Sequence, residues 1–180
     1  MALFVTASID FINRPYRVPN QNESTDFSAW LTQTESDVME SLLGWDLWTS
    51  FQTALLDDYP AQKWEDLRDG AEYTYGGYTW KWKGLNDMLV PILYSKWLET
   101  YYNKLSNIGI GLNAKDDYTV INPAVAISQA QNVFARMAGA NRTYSNSLYG
   151  FLLANYETDY TEWKPTVDWQ DPGLMNVFDL

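Results

Sequence analysis

The sequence contains no cysteine and no histidine. Without cysteine it can form no disulfide bond, no thiolate metal site and no cysteine nucleophile. Without histidine it lacks the usual general base near neutral pH and the commonest protein ligand of zinc. A serine–histidine–aspartate triad and a histidine metal centre are therefore excluded by composition alone.

Basic residues are scarce: 12 lysines and arginines stand against 23 aspartates and glutamates, which gives a formal net charge of −11. Such a chain repels a phosphate backbone overall, so we expect no free binding of nucleic acid. Residues 35–72 hold ten acids and two bases, whereas residues 123–155 hold Arg136 and Arg142 and no acid. This asymmetry predicts two chemically different surfaces.

Long hydrophobic runs are missing as well. No apolar stretch approaches the ~20 residues that span a bilayer. The opening apolar run is broken by Asp10 and lacks the basic start of a signal peptide. We therefore expect no membrane contact and a protein that is made and stays in the cytoplasm.

Motifs that carry chemistry are scarce too. Carboxylate pairs such as Asp57-Asp58 are the only catalytic material, and adjacent acids of this kind are usually solvated side chains. The sequence from Ile108 to Gly111 is not a phosphate-binding loop, because no Gly-Lys-Ser/Thr follows it. We therefore expect no enzymatic activity, no bound metal and no cofactor.

Apolar residues at helical spacing predict a mainly α-helical bundle. From Phe27 they recur at offsets of three, four, eleven, fifteen and sixteen, and Gly44 suits the end of that helix. Asp46 is the predicted cap of the second helix, which follows at once. Two more helices are predicted around residues 64–70 and over residues 85–102.

A loop and a long helix are expected in the second half of the chain. Pro91 lies inside the predicted helix over residues 85–102 and should kink it or displace its start. Residues 103–122 are expected to form a long loop. Pro123 suits a first helical turn, and the helix that follows is expected to run some thirty residues although Gly139 weakens its middle.

An aromatic hairpin is predicted between these helices. Aromatic residues alternate with polar ones around Gly76-Gly77, and a two-residue glycine loop between alternating runs is a strong hairpin signal. The aromatic positions are Tyr73, Tyr75, Tyr78, Trp80 and Trp82. An isolated hairpin is marginal in water, so its aromatic face must be covered, either by the protein's own helices or by a neighbouring subunit.

Both ends of the chain are predicted to be extended arms. The predicted organisation is an N-terminal arm over residues 1–26, a helical domain over 27–156 with the hairpin at 72–83, and an extended C-terminal arm over 157–180. The C-terminal arm carries Trp163, Trp169 and Phe178 among prolines and acids, without a helical or strand period. Because exposed tryptophans are costly in water, these side chains dock on a partner or wrap back over the chain's own helices.

The predicted long helix carries an unusual polar face. It consists of amides and hydroxyls, with Arg136 and Arg142 as its charges. Solvated helix faces usually carry many charges. This face is therefore either a contact with another protein or an ordinary, weakly charged exposed surface.

One long stretch of the sequence resembles a family of small phage proteins. The resemblance rests on Trp64-Glu65-Asp66-Leu67-Arg68-Asp69-Gly70, on the Gly-Gly hairpin, on Lys83-Gly84-Leu85 at the start of a helix rich in tyrosine and tryptophan, and on Asn155-Tyr156 followed by Tyr160-Thr161-Glu162-Trp163. The family comprises head–tail connector (adaptor or head-completion) proteins of tailed phages and prophages of Bacteroides-like hosts, including crAss-like phages. In order of elements the resemblance spans residues 27–163, and it includes neither the arm before residue 27 nor the tail after Trp163.

The resemblance implies a structural subunit of the virion at the head–tail junction, assembled in the cytoplasm of the bacterial host. Such subunits form a homo-oligomeric ring, commonly twelve-fold, that docks on the portal protein and contacts tail or other connector proteins. DNA would pass through the channel without specific binding, and an acidic lumen suits that passage. The candidate interface residues are Trp80, Trp82, Arg136, Arg142, Trp163, Trp169 and Phe178.

Two other functions fit the composition. An acidic inhibitor or DNA mimic would bind a DNA-processing enzyme through its carboxylates, and it would be a compact monomer or dimer with acids spread over one surface. A carbohydrate-binding or host-binding accessory module would use the aromatic side chains. The mass of the assembled protein, alone and with a portal protein, separates these alternatives.

Overall fold

The computed structural model describes residues 25–56, 60–108, 123–140 and 144–163. In these ranges the chain is mainly α-helical and contains one two-stranded antiparallel sheet. The predicted fold class, a helical bundle with a hairpin insertion, is therefore confirmed. Most of the two predicted arms, residues 1–24 and 164–180, lies outside the described residues.

Three described helices precede the hairpin and three follow it. In chain order they are α1 (Thr25–Leu43), α2 (Trp45–Ala54), α3 (Gln62–Asp69), β1 (Glu72–Tyr75), β2 (Tyr78–Lys81), α4 (Leu85–Ile108), α5 (Pro123–Ala138) and α6 (Leu148–Asn155). α4 is the central element, since α1, α3 and α5 all pack against it, while α6 packs against β1 and α5.

Gly44 joins α1 to α2 without a loop. Its φ of 76° is accessible to glycine at little cost, and it allows the chain to turn sharply between the helices. The Gly44 N–H donates a hydrogen bond to the Glu40 carbonyl at the end of α1. The Gly44 carbonyl accepts a hydrogen bond from the N–H of Trp48 at the start of α2. The prediction that Gly44 ends the first helix is confirmed. The predicted cap of the second helix was wrong, because Gly44 and not Asp46 holds that position.

α4 is longer than its sequence pattern indicated. It begins at Leu85 and continues through Pro91, so the proline does not displace its start. A proline inside a helix removes one backbone hydrogen bond, and the buried flanking side chains of Val90 and Ile92 offset that loss. The helix then extends to Ile108, six residues beyond the predicted end at Tyr102. The first residues of the predicted loop are therefore helical.

The predicted long helix from Pro123 is two helices. α5 ends at Ala138, and Gly139 follows with a φ of 97°, which α-helical backbone does not adopt. A new helix then starts at Leu148, where the Ser147 side chain accepts a hydrogen bond from the N–H of Gly150. The single-helix prediction was wrong because the glycine and the serine cap together favour a break.

Candidate interaction site

The hairpin that joins α3 to α4 is built on a two-residue glycine turn. Gly76 and Gly77 both have positive φ, at 62° and 80°. This is the turn geometry that matches the twist of the flanking strands. It sets the register Tyr73 opposite Trp80 and Tyr75 opposite Tyr78. All four aromatic side chains therefore share one face of the ribbon, as the alternation predicted.

Tyr73 ties this face to the segment before α6. Its hydroxyl donates a hydrogen bond to the carbonyl of Tyr144 and accepts one from the N–H of Ser147 at 3.4 Å. Its ring packs edge-on against Phe151 of α6, with 5.8 Å between ring centroids. Burial raises the pKa of the Tyr73 hydroxyl, so this group stays a neutral donor across the physiological range.

Two further contacts hold the hairpin against the same segment. The Tyr75 ring stacks on the Tyr144 ring at a centroid distance of 5.0 Å. The backbone N–H of Lys81 donates to the side-chain carbonyl of Asn146 at 2.9 Å. Asn146 has a φ of 52°, a left-handed conformation that asparagine tolerates better than most residues. The residues around Tyr144 thus cover one edge of the hairpin.

Trp82 lies at the base of the hairpin and is fully buried. Its indole N–H donates to the carbonyl of Leu67 at 3.0 Å, and its ring stacks on Phe151 at a centroid distance of 6.2 Å. The chain's own helices therefore cover this end of the aromatic face. The expectation that Trp82 forms an interface with another chain was wrong, because none of its surface remains available.

The close approach of two chain segments around Trp82 depends on two glycines. A Cβ at Gly70 would lie 2.5 Å from the Trp82 carbonyl oxygen, and a Cβ at Gly84 would lie 2.5 Å from the Arg68 carbonyl oxygen. Both residues also have a positive φ. These glycines belong to the sequence that resembles the connector family, and here their role is to let the end of α3 cross the start of α4.

The tip of the hairpin is the accessible part of the aromatic face. Tyr78 is 68 % exposed, and Trp80 is half-buried with its indole N–H donating to the Tyr75 carbonyl at 3.4 Å. The Tyr78 and Trp80 rings lie 6.0 Å apart. Of the two hairpin tryptophans proposed as interface residues, Trp80 therefore keeps an accessible surface and Trp82 does not.

The segment after α6 packs back onto the core. Trp163 is only 3 % exposed and its ring meets Tyr149 edge-on at 5.9 Å. Tyr160 donates its hydroxyl proton to the Lys63 carbonyl, and the Lys63 ammonium donates to the Asp159 carbonyl at 2.6 Å. The predicted arm boundary at residue 157 was therefore wrong: the folded domain continues through Trp163.

This packing removes Trp163 from the candidate interface residues. Trp163 is buried in the hydrophobic core of the domain. The sequence around it has no helical or strand period that would have predicted its contact with α6. Arg136 lies exposed on the last turn of α5, as an interface residue requires. Arg142, Trp169 and Phe178 lie outside the described residues, so their interface role stays a prediction.

Three exposed hydrophobic side chains were not recognised from the sequence. They are Trp45 at 65 %, Leu56 at 82 % and Val125 at 48 % exposure. Trp45 was missed because it directly follows the helix-ending Gly44, and Leu56 because it continues an apolar pair with Leu55. Trp45 is the first residue of α2, and Leu56 lies in the turn that follows its last residue, Ala54.

Within the described ranges no cluster of three or more acidic side chains could hold a metal ion, and no described helix is long and apolar enough to cross a membrane. Comparisons with known protein families, with curated proteins and with solved structures find no match to this chain.

Proposed function

We propose that this chain is a structural subunit of a head–tail connector, forming a ring that docks on the portal and extends the DNA channel towards the tail. The proposal is carried by the segment from Trp64 to Tyr102, whose residues resemble that family. In this segment a helix that ends at Gly70, an aromatic hairpin and a helix that opens after Gly84 follow in the order of the resemblance.

Surface chemistry supports the proposal in a second way. The protein is strongly acidic overall, yet it exposes Trp45, Leu56 and Tyr78 to solvent. Large exposed hydrophobic side chains on a small acidic protein are typical of contacts with other protein chains. Net negative charge lets DNA pass a channel without adhering to it. On this proposal the subunit assembles in the host cytoplasm and resides at the head–tail junction of the virion.

The test is light scattering of the purified chain, alone and mixed with a candidate portal ring. We expect a complex whose mass is that of the portal plus a ring of this chain, twelve copies on the implied symmetry. A Tyr78→Ser, Trp80→Ser variant should weaken the complex if the hairpin tip contacts a neighbour, and Thr79→Ser, between them on the other face, is the matched control.

Two results would contradict the proposal. A chain that ignores the portal ring at every ratio is not its docking subunit. A monomer that instead inhibits a DNA-processing enzyme, with inhibition lost when surface carboxylates are neutralised, would indicate the acidic inhibitor.

A further inference from the structure

The hairpin has two outer edges, and the backbone groups on each follow from its register. The N–H of Trp82 donates to the Ala71 carbonyl at 2.8 Å. Because hydrogen-bonded and non-hydrogen-bonded pairs alternate along an antiparallel ribbon, the next pair, Glu72 opposite Lys81, points its N–H and carbonyl groups outward. Thr74, two residues further along β1, does the same. Each edge therefore presents backbone donors and acceptors at every second residue.

The two edges differ in what covers them. On the β2 edge, the Lys81 N–H donates to the Asn146 side chain at 2.9 Å. On the β1 edge, no backbone group of the described ranges bonds to the outward groups of Glu72 or Thr74, and both residues are exposed. An unpaired edge is a template for a further strand, and a two-stranded ribbon gains stability from a third. The β1 edge is therefore the place where one more strand fits.

A segment near the start of the chain carries the sequence pattern of such a strand. Within residues 3–11, apolar residues occupy every odd position: Leu3, Val5, Ala7, Ile9 and Phe11. Thr6, Ser8 and Asp10 stand between them, and the run contains neither proline nor glycine. This alternation is typical of a strand with one apolar and one polar face. The tail, residues 164–180, has two prolines and lacks the alternation, so it suits a sheet less well.

We propose that residues 3–11 pair antiparallel with the outer edge of β1 in the same molecule and make the hairpin a three-stranded sheet. The pairing sets Ser8 opposite Glu72 and Thr6 opposite Thr74. The outward groups of β1 then exchange hydrogen bonds with the backbone of both residues. The polar side chains of the segment continue the exposed face of the hairpin, where Thr6 and Thr74 form a favourable cross-strand pair.

The other face of the added strand matches the aromatic face of the hairpin. In this register Ala7 lies opposite Tyr73, and Val5 lies opposite Tyr75. Tyr73 already packs edge-on against Phe151, with 5.8 Å between ring centroids, so a small side chain is what fits beside it. Val5 adds a β-branched neighbour to an aromatic residue, a pairing that stabilises sheets.

Other registers fit less well. A shift by one residue would move the apolar side chains to the exposed face. A shift by two residues in one direction would set Asp10 opposite Glu72, and like charges opposite each other destabilise a sheet. A shift by two in the other direction would set Phe4 opposite Thr74, on the exposed face. The register with Ser8 opposite Glu72 avoids both conflicts.

The connection to α1 is long enough for pairing within one molecule. Residues 9–24 lie between Ser8 and the start of α1 at Thr25, and they span up to about 55 Å when extended. A folded domain of this size is roughly 40 Å across. A tethered segment has an effective concentration of about 1 mM. At lower protein concentrations it therefore pairs with its own molecule and not with a second copy.

The first test is disulfide formation in the full chain at about 10 µM, well below that effective concentration. The chain has no cysteine, so two introduced thiols can form one bridge within a molecule. Thr6→Cys with Thr74→Cys should form that bridge, because the Cα atoms of such a pair lie about 5.5 Å apart. The matched control is Thr6→Cys with Thr79→Cys. Thr79 lies opposite Thr74 on β2, which places it about 10 Å from residue 6 and too far for a bridge.

We expect the first cysteine pair to oxidise at least about tenfold faster than the control pair in a glutathione buffer. Non-reducing electrophoresis and mass spectrometry distinguish a bridge within one molecule from a bridge between two. Circular dichroism and melting of each reduced variant show that it is folded.

Amide hydrogen exchange of the full chain tests the pairing independently. The N–H groups of Glu72 and Thr74 should exchange at least about tenfold more slowly than the outward N–H of Thr79. Ser8→Pro removes an N–H that points at β1, so it should abolish that protection. Ala7→Pro is the matched control, because the N–H of Ala7 points away from β1 and a proline is tolerated there, so protection should persist.

Three results would overturn the inference. They are Glu72 and Thr74 amides that exchange as fast as that of Thr79, equal rates of cross-linking for the two cysteine pairs, and a disulfide that joins two molecules instead of closing within one. No portal ring takes part in these experiments, so their outcome is separate from that of the proposed function.

Discussion

At the scale of single residues, Gly150 shows how tightly the hairpin is held against α6. A Cβ at this position would lie 1.9 Å from the carbonyl oxygen of Tyr144 and 2.7 Å from the Tyr73 hydroxyl. Gly150 is helical, so its conformation suits any residue, and it is the contact and not the backbone that requires glycine. The hydrogen bonds of the Tyr73 hydroxyl to the segment before α6 therefore require a residue without a side chain at position 150.

Substitution of Gly150 tests this tether. Alanine favours a helix by about 1 kcal/mol over glycine, yet Gly150→Ala should destabilise the protein by about 2 kcal/mol because the new methyl group forces the Tyr144 segment outward. Urea unfolding measures the change. Gly44→Ala is the control, since its Cβ would meet nothing within 4 Å and only its positive φ is strained. A Gly150→Ala variant as stable as wild type would contradict the packing.

Tyr160 makes the stability of the protein sensitive to alkaline pH. Burial, with smaller contributions from Asp66 and Asp159, raises the pKa of its hydroxyl far above the ordinary value of 10.0. The folded protein keeps a proton that the unfolded chain releases near pH 10. The stabilisation is therefore complete below that pH, and the free energy of unfolding should fall above it by about 1.4 kcal/mol per pH unit.

Urea unfolding between pH 7 and about pH 11 measures this slope. Tyr160→Phe should lower the free energy of unfolding at pH 7 by about 1–2 kcal/mol, since the Lys63 carbonyl loses its donor, and should flatten the alkaline slope. Lysine side chains also lose protons in this pH range. Because the variant and the wild type share them, the difference between the two pH slopes excludes their contribution. Tyr78→Phe, at an exposed tyrosine, should leave the free energy of unfolding at pH 7 unchanged.

At the scale of elements, the hairpin is divided between a buried base and an open tip. Trp82 at the base donates to the Leu67 carbonyl and stacks on Phe151, so it is part of the core that joins α3 and α6. Tyr78 at the tip contacts the Trp80 ring and is otherwise mostly in solvent. The base therefore stabilises the fold, and the tip remains open to solvent.

Alanine substitutions separate these two roles. Trp82→Ala should cost about 3–5 kcal/mol in unfolding free energy, because it leaves a large cavity and an unpaired carbonyl. Tyr78→Ala should change the stability by less than about 0.5 kcal/mol. The measurement is thermal and urea unfolding of the monomer. Equal losses for the two variants would contradict the division, and so would no loss for either.

Elements with strong local signals were predictable from the sequence. The glycine pair set the hairpin and its register, and Gly44 marked the end of the first helix, because both signals lie in the backbone preferences of glycine. The break between α5 and α6 was harder to predict, since apolar residues on both sides of Gly139 continue at helical spacing. Whether the helix continues or breaks at this point depends on the tertiary contacts of Tyr144 with the hairpin.

The candidate site was predictable only in part. Trp80 and Arg136 were predicted as interface residues; the structure leaves Arg136 exposed and Trp80 half-buried, and their interface role stays a prediction. The sequence could not separate Trp82 from Trp80, since both lie on the same face of the ribbon and only the position of α6 decides which is covered. Trp163 was misassigned for a similar reason: its ring packs on Tyr149 of α6, a contact that no sequence period around Trp163 indicates.

At the scale of the whole molecule, the segment after α6 packs against both α3 and α6 and completes the core between them. Lys63 links the two parts, because its ammonium lies 4.4 Å from the centre of the Trp64 ring and donates to the Asp159 carbonyl. Tyr160 and Trp163 fill the remaining space between the helices. The segment available for assembly at this end therefore begins after Trp163 and carries Trp169 and Phe178.

Two truncations test where the folded domain ends. A chain of residues 1–163 keeps every described core side chain, so its melting temperature should stay within about 2 °C of the full chain. A chain of residues 1–156 loses Tyr160 and Trp163, which should cost more than about 3 kcal/mol and lower the melting temperature by about 10 °C or unfold the protein. Circular dichroism melting measures both.

The shorter of these deletions also tests the role of the last seventeen residues, 164–180. Trp169 and Phe178 are hydrophobic side chains in an acidic, proline-containing segment. On the proposed function, we expect them to fill pockets on a partner protein. The 1–163 chain should then remain folded, yet fail to co-sediment with the portal ring. Full-length chain with Trp169→Ala should show an intermediate loss. A 1–163 chain that binds the portal as tightly as the full chain would show that docking uses the folded domain alone.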